Sequence, residues 1–577
     1  MRLAAHTALQ HLTDDPMVLS LQLSRRLPAS VVHPVARLVC AVAPKNSLTA
    51  PVLLASLARG DDGDVTRRLR LAADRKITGV RARRLADTAT AANLPALSDV
   101  LLAGARNCRG FKSAQARRLW HDGAMSAAVA ALEGSGAAGR RQRARLAGEL
   151  AVFQGAAPSL PQFSYAPVPG RVLHVLTNSL PHTASGYAQR SHSIMVAQQQ
   201  EGWDVLAVTR LGYPVQVGKL RAGSSDVVDG VRYRRLLPAR LAATLDGRLQ
   251  QQAEQLLNVA LEFRPSVLHT TTHFVNGLVV RAVAEALDIP WVYEVRGQLA
   301  DTWASTRGPA ARDTEKYRLF QQREAEVMAA ADLVVTLGEA MRATIVAAGI
   351  PAEKILIAPN AVGGQFLEEP LEPSAARREL GLAENGQYIG TVSSLVAYEG
   401  IDDLIAAFAL LAGVHPDLRL LIVGDGVSTP SLKEQARQSG LGERIVFTGR
   451  VSRDEAVLYH QALDVFAVPR KDLDVTRSVT PLKPVEALAS ARPVIASDLP
   501  ALREIVIDGS YGLIVPAESP AELANGISAL LSDANSRAEM GRAGRAAVLA
   551  SRTWVANAKA LATNYDLLRH KHLRRAE

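Results

Sequence analysis

The sequence has little cysteine and no long apolar run. Cys40 and Cys108 are the only cysteines among 577 residues, which excludes a disulfide framework and a zinc site built on thiolates. The best candidate for a membrane span, residues 31–43, is interrupted by a histidine, a proline and an arginine, so we expect no transmembrane helix. The N-terminus lacks the pattern of a signal peptide. These absences predict a cytoplasmic chain.

Little net charge remains after the first 165 residues, because the excess of basic residues lies before that point. Residues 1–165 hold 23 Lys and Arg against 11 Asp and Glu, whereas the whole chain has a net charge of +10. Such a segment could attract an anionic membrane, a polyanionic glycan or nucleic acid. A solvated helical surface explains the same composition. Both interpretations stay open: a solvated surface, or a peripheral contact with a protein or with the inner face of the membrane. We expect no nucleic acid.

Length and composition predict several folded domains, because 48% of the residues are hydrophobic. Residues 1–165 show helical spacing with Gly, Asn and Pro breaks, which predicts a basic all-α domain of helical hairpins. From residue 171 onwards, apolar strands alternate with helices, as in a doubly wound parallel sheet. We predict four segments, with these bounds: 1–165, a helical domain; 166–370 and 371–555, two Rossmann-like domains; 556–577, a C-terminal helix.

The stretch from residue 464 to residue 506 carries the clearest functional signal. It predicts a buried strand at residues 465–468, a polar loop, a helix that opens near Pro484, and a second buried strand at residues 493–496. Ligands of open α/β sheets bind at the carboxyl ends of strands, and helix N-termini favour anions. Basic side chains in this loop suggest a diphosphate ligand. Glu486 is placed to accept hydrogen bonds from sugar hydroxyls.

The same stretch resembles the donor-binding segment of retaining glycosyltransferases with the GT-B fold, in the group often called family 4. EALASARPVIAS matches the family's pattern of a small-residue helix and a following strand, with Glu486 as the second of two glutamates. Ser478 stands where the first glutamate is expected. Other landmarks are the glycine loop TASGYAQRS and the segments APNAVGGQF, YEG, VGDG and FTGR. The resemblance covers roughly residues 171–560, and VTPLKPVEALA is similar to a subgroup associated with bacterial surface polysaccharides.

The resemblance implies an α/β GT-B architecture, in which two Rossmann-like domains face each other across a cleft, here preceded by the helical segment. It also implies a donor site on the second domain. Family members place an Arg and a Lys after the first strand of that domain, where this chain has Ser394 and Glu399. We therefore expect a relocated cationic clamp on the departing diphosphate. The expected donor-binding residues are Glu486, Arg477, Arg470, Ser478, Thr480, Gly186, Ser394, Arg450 and Val451.

Three residues are candidates for a catalytic role: Arg296, Glu294 and Lys483. Arg296 falls where many relatives carry a histidine at the end of a strand. An arginine stays protonated and cannot act as a base, but it can stabilise a departing diphosphate. Glu294 lies two positions earlier, on the same face of the strand, and is expected to orient Arg296. A structural ion pair between them is the alternative.

Two histidines, His269 and His273, are expected on the acceptor side of the cleft, at the end of a strand. No third ligand supports a metal site there, and capping or acceptor contacts fit better. Asp472 and Asp474 resemble the Asp-x-Asp metal motif of another glycosyltransferase fold, but they occur in the wrong architecture. We therefore expect no cofactor and no essential metal.

The sequence as a whole predicts a retaining glycosyltransferase that moves a sugar from a UDP- or GDP-sugar to a glycan or lipid-linked acceptor in cell-surface polysaccharide biosynthesis. Two alternatives remain open. A catalytically degenerate GT-B scaffold in a polysaccharide assembly complex would explain the departures from the family pattern. A sugar-nucleotide epimerase shares the architecture but needs an acid/base set that the sequence does not offer.

Overall fold

The computed structural model describes residue 3, residues 29–44 and residues 46–576. The N-terminal part that is described is entirely helical. Its eight helices, α1–α8, are Ala29–Val42, Ala50–Ala58, Asp62–Asp74, Gly79–Ala91, Pro95–Ala103, Phe111–His121, Met125–Ala130 and Ala137–Gln154. Within the described part of the chain, no helix combines the length and the apolar character needed to cross a bilayer.

The first α/β domain is built on an eight-stranded sheet in the order β3-β4-β2-β1-β5-β6-β7-β8, in which only the β3–β4 pair is antiparallel. The strands β1–β8 are Arg171–Leu176, Asp204–Thr209, Ser225–Val228, Val231–Arg235, Val267–Thr271, Trp291–Glu294, Leu333–Thr336 and Ile355–Ile357. The helices α9–α14 are Gly186–Gln200, Leu245–Phe263, Phe274–Leu287, Leu299–Ser305, Glu315–Ala330 and Glu339–Ala347. Because the central strands are buried on both faces, their sequences are apolar almost throughout.

The second α/β domain has a six-stranded parallel sheet in the order β11-β10-β9-β12-β13-β14. The strands β9–β14 are Gln387–Val392, Leu418–Val423, Ile445–Gly449, Val465–Val468, Val494–Ser497 and Gly512–Val515. The helices α15–α23 are Pro373–Glu379, Ile401–Leu411, Thr429–Gln438, Arg453–Gln461, Asp474–Ser478, Lys483–Ala489, Pro500–Arg503, Pro520–Ser532 and Ala534–Ser551. The final helix, α24, is Trp554–Ala576.

The helical part and the first α/β domain share one hydrophobic core. Phe153 of α8 packs against Phe274 of α11 and Phe320 of α13, with ring centroids 5.2 and 5.6 Å apart. Met125 and Leu150 belong to the same buried cluster as the apolar residues of this sheet face. The helical part is therefore docked through buried aromatic contacts, which contribute more than their area alone.

The chain crosses between the two α/β domains twice, and the crossing segments pair with each other. Val362 N donates to Arg552 O at 2.9 Å, and Trp554 N donates to Val362 O at 3.1 Å. After this return, α24 packs on α9 and buries Tyr565 beneath the first sheet. The predicted fold class, two Rossmann-like domains after an all-α segment, is confirmed. The bounds of the four predicted domains remain predictions.

Candidate active site

The candidate site lies where the carboxyl edges of the two sheets meet. Several hydrogen bonds join the domains there. Asn360 Nδ2 donates to Thr480 O at 2.9 Å. The Glu504 carboxylate accepts from Glu339 N and Ala340 N at 2.7 and 2.6 Å, which caps α14 from the opposite domain. These contacts bring the loops after β1, β5 and β6 opposite the loops after β9 and β12, where ligands of α/β sheets bind.

Glu486 lies in the first turn of α20, as the sequence predicts, and is buried. Its Oε2 accepts from Lys483 Nζ at 3.2 Å and lies 3.5 Å from His460 Nε2. Among the described residues, no group donates to its second oxygen, Oε1. The carboxylate therefore keeps accepting capacity at the edge of the interdomain cleft, which is what two vicinal sugar hydroxyls require.

Burial raises the pKa of Glu486, but the charge of Lys483 and the contacts with Lys483 and His460 outweigh it and lower the pKa to about 2. The group is therefore an ionised acceptor at neutral pH. His460, on α18, was not singled out from the sequence. It belongs to a different helix, so no local spacing links it to Glu486.

Arg470 is not a free cation. Its guanidinium donates to both carboxylate oxygens of Glu399, at 2.7 and 3.1 Å, and to Val479 O at 2.9 Å. Glu399 stands where the family pattern has a basic residue. Its ion pair with Arg470 explains why an acidic residue is tolerated at this position. The opposite charges at the two positions neutralise each other in a mostly buried pair.

Arg477 lies in a cavity that residues of the first α/β domain also line. It forms a bidentate ion pair with Asp472, at 2.5 and 2.8 Å, while Asp474 pairs with Arg312. These side chains line a cavity of about 310 Å³ between the domains. Arg470, Arg477 and Lys483 therefore each pair with a carboxylate of the chain, and their role as a clamp on the diphosphate remains a prediction. Both aspartates of the Asp-x-Asp resemblance are engaged by arginines.

The other expected donor-side residues fall into two groups. Gly186, at the start of α9, Ser394, after β9, and Arg450, after β11, lie at element ends, with open space where a Gly186 Cβ would stand. Ser478 and Thr480 are buried, and the Ser478 hydroxyl donates to Asp474 O at 3.0 Å. Val451 packs partly buried against the core of the second domain.

Arg296 and Glu294 form part of a buried charge network at the end of β6. Glu294 Oε2 accepts from Arg296 Nη2 at 2.5 Å, and Glu294 Oε1 accepts from Arg190 Nε and Nη2 at 2.8 and 2.7 Å. Arg296 Nη1 also donates to Ser191 Oγ at 2.7 Å and to Tyr187 O at 2.9 Å. The predicted pairing is present, and it holds Arg296 in one orientation.

The network keeps Glu294 ionised although burial opposes it, because Arg296, Arg190 and His269 hold the pKa of this carboxyl well below its usual range. Arg190 was missed from the sequence. It lies one helical turn after Gly186 in α9, a spacing that places it beneath the glycine loop. Its Nη atoms also donate to Ala358 O at 2.6 Å and Pro359 O at 2.9 Å, which ties the loop to the domain crossing.

His269 does not face the cleft, so its acceptor-side assignment is wrong. It lies in the middle of β5, fully buried, with Nδ1 2.5 Å from Tyr565 Oη and Nε2 3.5 Å from Glu294 Oε2. Strand alternation turns its side chain toward α24, which the sequence pattern does not place beneath this sheet. His269 therefore supports Glu294 from below.

His273 does lie at the cleft, as the N-cap residue of α11. Its Nδ1 accepts from Val275 N at 3.4 Å. The side chain lines a cavity of about 240 Å³ together with Arg296, Tyr187, Thr272 and other residues. Burial and the nearby Lys316 lower the pKa of His273 to about 4, so the imidazole is neutral at pH 7. Its acceptor-side role remains a prediction.

Glu324 lies beneath the start of α11, and its titration makes the stability of the protein depend on pH. It accepts from Phe274 N at 2.9 Å and Tyr293 Oη at 2.6 Å, and burial raises its pKa to about 7. A raised carboxyl pKa makes the folded state lose stability as pH rises from about 4.5 to 7. Glu324→Gln should therefore stabilise the protein by about 3 kcal/mol above pH 7 and hardly at pH 4.5. Thermal midpoints at pH 5 and pH 8 measure this, with the exposed Glu285→Gln as control. An equal difference at both values would contradict the assignment.

No group of three or more His, Cys, Asp or Glu side chains in the described part of the chain is arranged to hold a metal ion. The site instead offers one ionised carboxylate on the second domain, at Glu486, and one rigidly held guanidinium on the first, at Arg296. This pairing can bind a hydroxyl-bearing and anionic ligand between the domains.

Two family models match the α/β domains. Residues 185–361 match the model described as "Glycosyl transferase 4-like domain", and residues 374–547 match "Glycosyl transferases group 1". The chain is 31% identical, over 241 residues, to the GDP-mannose-dependent alpha-(1-6)-phosphatidylinositol monomannoside mannosyltransferase of Mycobacterium tuberculosis (strain CDC 1551 / Oshkosh). That match covers 41% of this chain and 62% of the relative, which is less than two thirds of its length.

A second relative, the D-inositol 3-phosphate glycosyltransferase of Nocardia farcinica, is 27% identical over 397 residues, which are 67% of this chain and 82% of the relative. Among solved structures, sucrose-phosphate synthase from Thermosynechococcus elongatus aligns with a TM-score of 0.58 and 21% identity. HepE from Anabaena, solved in complex with UDP, aligns with a TM-score of 0.55 and 18% identity. Each alignment covers 69% of this chain and 99% of the other, and establishes the fold.

Proposed function

The chain belongs to the group 1 glycosyl transferases with the GT-B fold, and we propose that it moves a sugar from a UDP- or GDP-sugar to a glycan or lipid-linked acceptor with retention of anomeric configuration. We further propose that the product is a cell-surface glycan, in keeping with the VTPLKPVEALA variant of the donor segment. The nucleotide sugar is a substrate, and the proposal needs no metal or other cofactor.

The ionised carboxylate of Glu486 is the observation that carries the proposal. Burying a carboxylate costs free energy unless its oxygens accept hydrogen bonds or pair with a cation. Here Oε1 of the buried Glu486 has no donor among the described residues. A ribose presents two adjacent hydroxyls that satisfy this oxygen. The start of α20 and Lys483 lie beside it, where the attached diphosphate would follow.

In the proposed reaction, the acceptor hydroxyl attacks the anomeric carbon from the face that the diphosphate leaves. Negative charge grows on the departing phosphate, and Lys483 and Arg296 supply the compensating positive charge. Arg296 is already oriented by Glu294, so little reorganisation is needed when the charge appears. Closure of the two domains would exclude water, which would otherwise hydrolyse the donor.

A scaffold without activity remains the second candidate, because cations of the family pattern are absent at Ser394 and Glu399. The Arg470–Glu399 pair is compatible with both candidates, because a mostly buried charge needs a partner in any folded protein. The match to two glycosyltransferase family models is what favours activity. The epimerase alternative lacks support from a general acid/base set in the cleft.

Purified protein incubated with radiolabelled UDP- and GDP-sugars tests the function directly. The expected result is release of nucleoside diphosphate from one donor, by slow hydrolysis without acceptor and faster transfer when an acceptor extract is added. Retention is tested by NMR of the anomeric proton in the product. Failure to consume any donor, in either condition, would favour the scaffold.

Lys483 provides a matched test of the departing-group assignment. Its side chain is 37% exposed and bonds only Glu486 among the described residues, so its ammonium can reach a diphosphate. Lys483→Ala is expected to lower the transfer rate by about 100-fold, the usual cost of removing one group that stabilises developing negative charge. Lys433→Ala, which removes an exposed lysine of α17, is the control. An unchanged rate in Lys483→Ala would remove this residue from the mechanism.

We also propose that the basic helical domain holds the protein at the inner face of the membrane, by attraction to anionic lipid. The segment 1–165 carries the whole excess of positive charge. Flotation of the full chain with phosphatidylglycerol vesicles tests this, and indifference to anionic lipid would remove the membrane contact.

A further inference from the structure

A chain of buried polar side chains connects the C-terminal helix α24 with Arg296. Tyr565 of α24 is fully buried, and its Oη lies 2.5 Å from Nδ1 of His269 in β5. On the other side of the imidazole ring, His269 Nε2 lies 3.5 Å from Glu294 Oε2. The same carboxylate oxygen accepts from Arg296 Nη2 at 2.5 Å. Tyr565 therefore reaches Arg296 through two intervening side chains.

The second partner of Tyr565 fixes the direction of its own hydrogen bond. Gln198 Nε2, on α9, donates to Tyr565 Oη at 3.1 Å, and Gln198 Oε1 lies 2.8 Å from Nε2 of the buried His174 in β1. Because the hydroxyl accepts from Gln198, its proton is left to donate to His269 Nδ1. The hydrogen bonds therefore run in one direction, from α9 through Tyr565 to His269.

This direction decides which nitrogen of His269 carries the proton. Burial lowers the pKa of His269, so the ring is neutral at pH 7 and has a single N–H. With Nδ1 accepting from Tyr565, the N–H is at Nε2 and faces Glu294 Oε2. Nε2 has no hydrogen-bond partner among the described residues, so the carboxylate acts on it through charge across the 3.5 Å gap. The opposite tautomer would turn a lone pair toward the same anion, which is repulsive.

The helix α24 also contacts the cation on the other side of Glu294. The ring centroid of Trp554, at the start of α24, lies 5.6 Å from Cζ of Arg190. Arg190 donates to Glu294 Oε1 at 2.8 and 2.7 Å, whereas His269 faces Oε2. Both oxygens of Glu294 are thus held by side chains that pack against α24.

We propose that Tyr565 is a positioning residue, which holds the His269 ring in the tautomer with its proton on Nε2. That tautomer keeps the carboxylate of Glu294, and with it Arg296, in the orientation that a departing diphosphate requires. The proposal rests on the proposed glycosyl transfer, in which Arg296 supplies positive charge. Tyr565 does not line the cavity of about 240 Å³ that Arg296 lines, so it acts only through His269 and Glu294.

Loss of the Tyr565 hydroxyl should affect the chemical step rather than substrate binding. Without it, His269 Nδ1 has no donor, and the ring is free to turn and to adopt both tautomers. A lone pair that faces Glu294 Oε2 would push the carboxylate away from its contact with Arg296. A misplacement of about 1 Å can cost about 100-fold in rate. The ribose contact at Glu486 is in the other domain, so the change should appear in kcat and hardly in KM.

The kinetics of Tyr565→Phe test this expectation. Its kcat for donor consumption is expected to fall about tenfold, with KM for the donor unchanged. Tyr233→Phe is the matched control, because Tyr233 Oη lies 2.7 Å from His192 Nδ1 and His192 Nε2 lies 2.8 Å from Asp229. That chain of the same composition ends at an exposed carboxylate, so kcat should equal that of the wild type. Equal kcat in the wild type and Tyr565→Phe, or an equal fall in both variants, would overturn the proposal.

Nitrogen-15 NMR of histidine-labelled protein reads the tautomer independently of transfer. The N–H nitrogen and the lone-pair nitrogen of a neutral imidazole have well separated shifts, and His269→Gln identifies the signals of His269. The wild type should carry the proton on Nε2, and Tyr565→Phe should show both tautomers. A proton on Nδ1 in the wild type, or an unchanged His269 spectrum in Tyr565→Phe, would overturn the proposal. A wild type that consumes no donor would instead refute the transfer reaction, and with it any role of Tyr565 in that reaction.

Discussion

Replacing Glu486 by glutamine is expected to abolish the stabilisation of this protein by a nucleoside diphosphate. The amide carries no charge and offers one acceptor oxygen instead of two, so at least one charge-assisted hydrogen bond to the ribose is lost. It also leaves Lys483 and His460 without their shared carboxylate. The two charge-assisted hydrogen bonds from the ribose hydroxyls to the carboxylate together contribute about 3–6 kcal/mol. Losing both lowers the affinity by at least about 100-fold.

A thermal-shift comparison with UDP, GDP and ADP measures this loss. The wild type should gain about 2.7 kcal/mol of stability at a ligand concentration 100 times Kd, for one of the three bases. Glu522→Gln is the matched control, because Glu522 also lies in the first turn of a helix with a proline at its start, but is exposed. If Glu486→Gln kept the full shift, the nucleotide would bind elsewhere.

Replacing Glu294 by glutamine should produce the largest loss of stability. Glu294 is the carboxylate between the guanidinium groups of Arg190 and Arg296, and all three side chains are at most 4% exposed. Removing its charge leaves two buried cations facing each other, and breaking a buried pair in this way costs about 3–5 kcal/mol. The thermal midpoint of unfolding should fall by roughly 10 °C, and transfer should be lost with the orientation of Arg296.

Glu262→Gln is the control for this effect. Glu262 pairs with Arg234 at 2.5 Å, but both side chains are more than 40% exposed, so its loss should cost about 1 kcal/mol or less. A thermal midpoint in Glu294→Gln close to that of Glu262→Gln would contradict the buried network. Tyr565→Phe removes the hydroxyl that contacts His269, and its thermal midpoint should lie between those of Glu294→Gln and Glu262→Gln.

The elements of both α/β domains could be predicted because their signals are local. The strand at residues 465–468 has the predicted bounds, and α20 begins at Lys483, one residue before the predicted Pro484. Apolar runs of strand length, a proline at the helix start and a small-residue helix each act within a few residues. Glu486 could be found for the same reason, since its place in the first helical turn is set by its neighbours.

The partners of the site residues could not be predicted, because they come from distant segments. Glu399 and Arg470 lie 71 positions apart, and their ion pair removes the free cation that the loop sequence suggests. Tyr565 reaches His269 across 296 positions, through the return of α24 to the first domain. Strand alternation shows that His269 faces one side of the sheet, but not which helix covers that side.

The central claim is that a nucleoside diphosphate binds between the domains with its ribose on Glu486. A crystal structure of the full chain with UDP or GDP, whichever stabilises it, tests this most directly. We expect the ribose hydroxyls within hydrogen-bonding distance of the Glu486 carboxylate and the diphosphate beside Lys483 at the start of α20. A nucleotide bound away from Glu486, with that carboxylate still paired only to Lys483 and His460, would contradict it.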